Sequence, residues 1–63
     1  MRKYLNSPEQ LIIALKRDKA VYKENSETYF KQVEGVICVF NDGGCLYINS
    51  QIVWVEDSFY TIE

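Results

Sequence analysis

Cys38 and Cys45 are the only two cysteines of the chain, in the stretch CVFNDGGC, and a thiol pair at that spacing raises a disulfide, a metal site or a reactive nucleophile. The disulfide depends on hairpin register. With Asp42 and Gly43 in a two-residue loop, Phe40 faces Cys45 and Cys38 faces Tyr47. With the loop at Gly43 and Gly44, Cys38 faces Asn49 instead. The thiols are direct partners in neither register, and a disulfide needs Cα atoms roughly 4.4–6.8 Å apart, so both cysteines are expected to be free and structural. Zinc asks for four ligands, and the chain offers no histidine and no CxxC. DGG (42–44) lacks both the following helix and the GK[ST] of a phosphate loop; it reads as a hairpin turn.

Catalysis finds no better footing. Without histidine there is no general base poised near neutral pH, and Ser7, Ser26, Ser50 and Ser58 sit in capping or turn contexts with no GxSxG elbow. Glu56 and Asp57 are neighbouring carboxylates, but adjacent strand residues point to opposite sides, and acids beside a serine are ordinary turn material. No catalytic residue, metal or cofactor is therefore expected, and the chain is read as a binding protein, not an enzyme. The side chains that remain are aromatic: nine of them, five tyrosine, three phenylalanine and one tryptophan. So small a core cannot hide them all, and tyrosine and tryptophan anchor interfaces, so a contact surface built from them is expected.

These side chains must be positioned by short elements. Ser7, Pro8 and Gln10 form a helix start, with serine as cap, proline in the first turn and glutamine reaching back. Leu11, Ile12, Ala14 and Leu15 follow as an apolar stripe, and the helix is expected over about Ser7 to Asp18, with Asp18 or Lys19 in the reversing position. The pattern then turns to strands: AVYK (20–23), TYFKQVE (28–34) up to Gly35, VICVF (36–40), CLYIN (45–49), then QIVWV and a closing FYTIE. The expected fold is α+β, a single domain over residues 1–63, with one N-terminal helix packed on a small antiparallel sheet of about five strands. VICVF is apolar on both faces, so the helix can cover only one of them. A second copy of the chain is the candidate cover for the other.

Length and charge bound the partners. A core from 63 residues rarely supplies more than roughly 3–5 kcal/mol, and with two cysteines and no histidine, oligomerisation is the expected supplement. The opening MRKYLNSPEQ lacks a signal-peptide core and no apolar run reaches the roughly 20 residues of a membrane span, so a cytoplasmic protein with no membrane partner is expected. Residues 1–31 carry all seven basic residues and four acids, a net +3. Residues 32–63 carry five acids and no base, −5. That asymmetry favours contacts between copies. The overall net charge of −2 weighs against duplex nucleic acid, which needs a basic track, while a small anionic ligand needs only two or three cations and an aromatic neighbour.

The order of parts, SPEQLIIALKRDK, AVYK, aromatic strands, a DG hairpin and WVEDSFYTIE, resembles small bacteriophage and prophage proteins. It is most similar to a shortened relative of the phage anti-Thoeris proteins that sequester a cyclic nucleotide signal. That family pairs a helix reading like EALKxGKxVxR with an ending like DDWE in an α+β fold that forms homo-oligomers. The chain departs from it in having Asp18 in place of glycine, Lys23 in place of arginine, and Asp57, Ser58 and Phe59 in place of the acidic pair and tryptophan. The resemblance implies a non-catalytic anti-defence protein of an infected bacterial host. It would act as a homodimer or higher oligomer, holding a nucleotide-like signalling molecule at a subunit interface, with Tyr22, Lys23, Trp54 and Phe59 as contact positions. The alternative is an inhibitor that docks its acidic, aromatic C-terminal half onto a host defence or DNA-processing enzyme.

Overall fold

The structure is a computed structural model that describes every residue except Asp42 and Ser50, and of Tyr47 the backbone alone. The described residues form one helix, α1 (Pro8–Lys16), and six strands: β1 (Arg2–Tyr4), β2 (Val21–Lys23), β3 (Tyr29–Val33), β4 (Val36–Asn41), β5 (Gly44–Ile48) and β6 (Phe59–Ile62). The α+β class is as expected, with one strand more than the sequence reading gave. The strands make a single antiparallel sheet in the order β1-β6-β2-β3-β4-β5. None of the helix is long and apolar enough to cross a membrane.

The helix forms where the sequence placed its signals. Ser7 is extended and its Oγ accepts from the Gln10 amide at 3.3 Å, and Pro8 occupies the first turn, where its missing N–H costs nothing. Gln10 does reach back, but its side-chain oxygen accepts from the amide of Asn6 at 2.8 Å, one residue before the cap. The end comes earlier than expected because the last residues build the stop. The Asp18 amide donates to Leu15 O and the Lys19 amide to Ala14 O, both at 3.1 Å, with Asp18 at φ 60. This is the paired hydrogen-bond pattern that closes a helix through a left-handed residue. Ser7→Ala is expected to lower stability by about 1 kcal/mol, readable as a shift of the urea midpoint at unchanged slope.

Leu11, Ala14 and Leu15 bury the inner stripe of α1 against Leu5, Val21 and Phe59, with Phe30, Ile37, Ile52 and Trp54 packed around them. Residues 51–55 lie outside the sheet, so QIVWV contributes Ile52 and Trp54 to this core from a loop and not from a strand. Glu34 (φ 52) and Gly35 (φ 80) are both left-handed, the requirement of a two-residue turn matched to strand twist, and Val33 pairs with Val36 across it.

The second hairpin follows the first of the two registers as far as Phe40 opposite Cys45 and Asn41 opposite Gly44; Asp42 itself lies outside the described residues. Beyond Phe40 the register differs from expectation. Val39 pairs with Tyr47 and Cys38 with Ile48, because Leu46 is inserted in β5 without a partner of its own, as in a β-bulge. The sequence carries no bulge glycine there to announce it.

Candidate functional site

Alternation along the strands divides the side chains between two sides of the sheet. Val21, Phe30, Ile37 and Phe59 face α1 and the core. Their neighbours in sequence, Tyr22, Tyr29, Cys38 and Tyr60, therefore face the other side, which no helix covers. On that side the register aligns Tyr4 with Tyr60, Tyr60 with Tyr22, Tyr22 with Tyr29 and Tyr29 with Phe40. The result is an unbroken row of five rings crossing five strands, β1, β6, β2, β3 and β4. Successive centroids are 5.3, 5.5, 5.5 and 5.4 Å apart, with interplanar angles of 49°, 17°, 41° and 14°. Aromatic neighbours at such spacing contribute about 0.5–1.5 kcal/mol per pair beyond their buried area. Tyr60 with Tyr22 and Tyr29 with Phe40 are stacked, and the other two contacts are tilted.

Charged groups border the row. The Arg2 guanidinium lies 4.4 Å from the Tyr60 ring centroid and 3.1 Å from Glu24, and the Tyr4 hydroxyl donates to the same carboxylate. The hydrogen bond that Arg2 donates to the Tyr4 hydroxyl at 3.5 Å, and the Tyr60 ring beneath it, hold Arg2 in its charged form even more firmly than usual. Lys31, opposite Cys38 on β3, is exposed on the same side, as are the apolar Val33, Ile48 and Ile62, all more than 40% exposed.

Neither cysteine is in a disulfide; Cys38 is buried and Cys45 exposed. The Cys38 thiol donates to Val36 O at 3.7 Å, and burial, reinforced by the Cys45 thiol nearby, pushes it upward. A thiol so shifted carries less thiolate and is a poorer nucleophile.

The four contact positions implied by the resemblance do not gather at one place. Trp54 stacks on Phe59 with centroids 5.4 Å apart and an interplanar angle of 24°; Phe59, 1% exposed, stands within the core, and the half-buried Trp54 packs against it. Lys23 is exposed at the end of β2 and pairs in register with Phe59. Tyr22 lies on the opposite side, at the centre of the aromatic row. The sequence reading missed the row itself, and with it Tyr4, Tyr29, Phe40 and Tyr60 as a unit. The period of two within each strand was its only signal.

Two clefts flank α1 on the covered side. A mostly apolar one of about 350 Å³ runs between the start of the helix and the loop, lined by Pro8, Leu11, Ile12, Ile37, Ile52 and Trp54 together with Gln51. A smaller, cationic one of about 180 Å³ lies between α1 and the β1–β6 edge, with Lys3, Arg17 and Lys19 around it. Among the described residues, no group of three or more acidic, cysteine or histidine side chains is placed to hold a metal ion.

Fold and surface thus define a two-layer α+β protein, helix on one side of the sheet and an aromatic row open on the other. Comparison with protein-family models, curated proteins and solved structures returns no match.

Proposed function

We propose that this chain is a non-catalytic binding protein of phage anti-defence type, which works as a homodimer and sequesters a nucleotide-derived signal between its subunits. The observation that carries this reading is the uncovered side of the sheet. A row of five adjoining rings, with Tyr60 buried, Tyr22, Tyr29 and Phe40 half-buried and Tyr4 exposed, is flanked by the exposed Val33, Ile48 and Ile62, and together they leave apolar surface in water that a second layer would bury. Two such faces packed about 10 Å apart give a helix–sheet–sheet–helix sandwich. A partner footprint of about 800 Å² is usual for a stable dimer; this is under a fifth of the chain's 4545 Å² surface, within the reach of one side of a body 25 × 22 × 21 Å across.

The ligand part of the proposal draws on the resemblance and on what borders the row. Tyrosine edges present hydroxyl donors, and Arg2 and Lys31 supply positive charge on the same side, the groups that a phosphate-bearing ligand requires. Tyr22 is the contact position that this arrangement retains. The test is a thermal-denaturation series with cyclic and ADP-ribose-type nucleotides. A ligand held by the folded form alone raises Tm by mass action, and a flat response to every member removes the sequestration reading while leaving the dimer to be judged by sedimentation.

A second reading, an inhibitor of a host enzyme, is favoured by one feature. Val53 and Val55 are 79% and 44% exposed beside the exposed acids Glu56 and Asp57, an apolar and acidic loop of the sort that docks on a basic protein surface. Capture of the target that weakens steeply with salt and fails in Val53→Ser/Val55→Ser would support it.

A further inference from the structure

The cationic cleft lies on the helix side of the sheet, away from the aromatic row, and the reading above makes no use of it. Three positive side chains, Lys3 from β1 and Arg17 and Lys19 from the end of α1, surround a cavity with one acidic side chain on its wall, Glu63. That carboxylate is held as an external anion would be. Both of its oxygens accept from Lys19 Nζ, at 2.9 and 3.0 Å, and Oε1 also accepts from the Thr61 hydroxyl at 3.1 Å. Thr61 is 2% exposed, so its hydroxyl is a buried donor already aimed into the cleft. Gln10 lines the same wall with its oxygen taken by the Asn6 amide, which leaves the NH2 donors as its remaining polar group.

Lys19 and Glu63 side chains remain 41% and 39% exposed, and half-exposed pairs add little net stability. A dianion competing for the same donors displaces little. The negative pole of the helix lies at this end, so attraction must come from the side chains, which supply three charges against one.

We infer that this cleft is a binding site for a phosphate-class dianion, with the Glu63 carboxylate as a built-in occupant that the incoming anion displaces. The cavity is smaller than the roughly 300 Å³ at which pockets for whole drug-sized ligands begin. It therefore takes inorganic phosphate or the head of a phosphomonoester, and not an entire nucleotide.

The experiment is a titration with inorganic phosphate at constant ionic strength, set by chloride, followed through the amide NMR signals of Lys19, Thr61 and Glu63. Saturable shifts confined to this cleft are expected. Glu63→Gln, which removes the competing charge, is expected to tighten phosphate binding about threefold, the scale of a half-exposed ion pair. Lys3→Gln and Arg17→Gln, both at exposed positions, are expected to weaken it at least about fivefold, each removing a charged donor. Two results overturn the inference: no saturable shift in either the natural chain or Glu63→Gln, or shifts that persist unchanged in Lys3→Gln/Arg17→Gln. Because the probe is inorganic phosphate, the outcome is independent of whether any nucleotide binds the opposite side of the sheet.

Discussion

Phe59→Ala is expected to leave the chain largely unfolded at room temperature. Phe59 is 1% exposed, stacks on Trp54, and sets its ring 6.2 Å from that of Phe30 at 60°. It also ties the start of β6 to two segments, since its carbonyl accepts from the amide of Leu5, just past β1, at 2.9 Å and its Cα pairs with Lys23 of β2. Truncating a buried phenylalanine to alanine costs about 3–5 kcal/mol, which equals what a core of this size supplies in total. Circular dichroism against urea should show no cooperative transition, or one shifted almost to zero denaturant. Phe59→Leu keeps much of the volume and should remain folded, with a midpoint only modestly lowered. The pair of variants separates two roles for this position. If Phe59 served mainly to touch a ligand, alanine would fold normally and lose only binding.

How far the sequence announced this arrangement depends on the range of the interactions involved. The local devices were legible: the Ser7 cap, the reversal at Asp18 or Lys19 and the break at Gly35 each depend on residues within a few positions of one another. β1 was not, because Arg2, Lys3 and Tyr4 show no apolar run and form a strand only by pairing with Ile62, Thr61 and Tyr60 at the far end of the chain. Insertion of β6 between β1 and β2 is a choice among long-range pairings that no periodicity encodes. The same holds for function. Each tyrosine could be assigned to one side of its own strand, but five rings become a row only when four separate registers agree. Tyr22, Lys23, Trp54 and Phe59 looked equivalent along the chain; one residue of alternation places Tyr22 on the open side and Phe59 in the core. The doubly apolar VICVF strand did anticipate an uncovered side. In the fold, Ile37 packs against the core while Phe40 ends the aromatic row.

Tyr22→Glu is expected to turn a dimer into a monomer. Its ring is the middle of the row, 5.5 Å from both Tyr60 and Tyr29, so in the proposed sandwich it lies near the centre of the interface, where truncation of an aromatic anchor typically costs 2 kcal/mol or more. A carboxylate there must also shed water on association, and together these should weaken the dimer by well over about 30-fold. The same change removes two ring contacts from the subunit, which could itself lower stability by about 1–3 kcal/mol. Ile62→Asp resolves that ambiguity: Ile62 lies on the same side, opposite Arg2, and is 55% exposed in the single chain. Its replacement leaves the row intact while placing a charge in the interface. Sedimentation of the natural chain at micromolar concentration should give the dimer, and Ile62→Asp should give a folded monomer with an unaltered circular dichroism spectrum. A natural chain that sediments as a monomer at high micromolar concentration would refute the sandwich. An Ile62→Asp dimer as tight as the original would place the contact elsewhere, with the β5 edge, where Leu46 and Ile48 are 46% and 68% exposed, as the surface to change next.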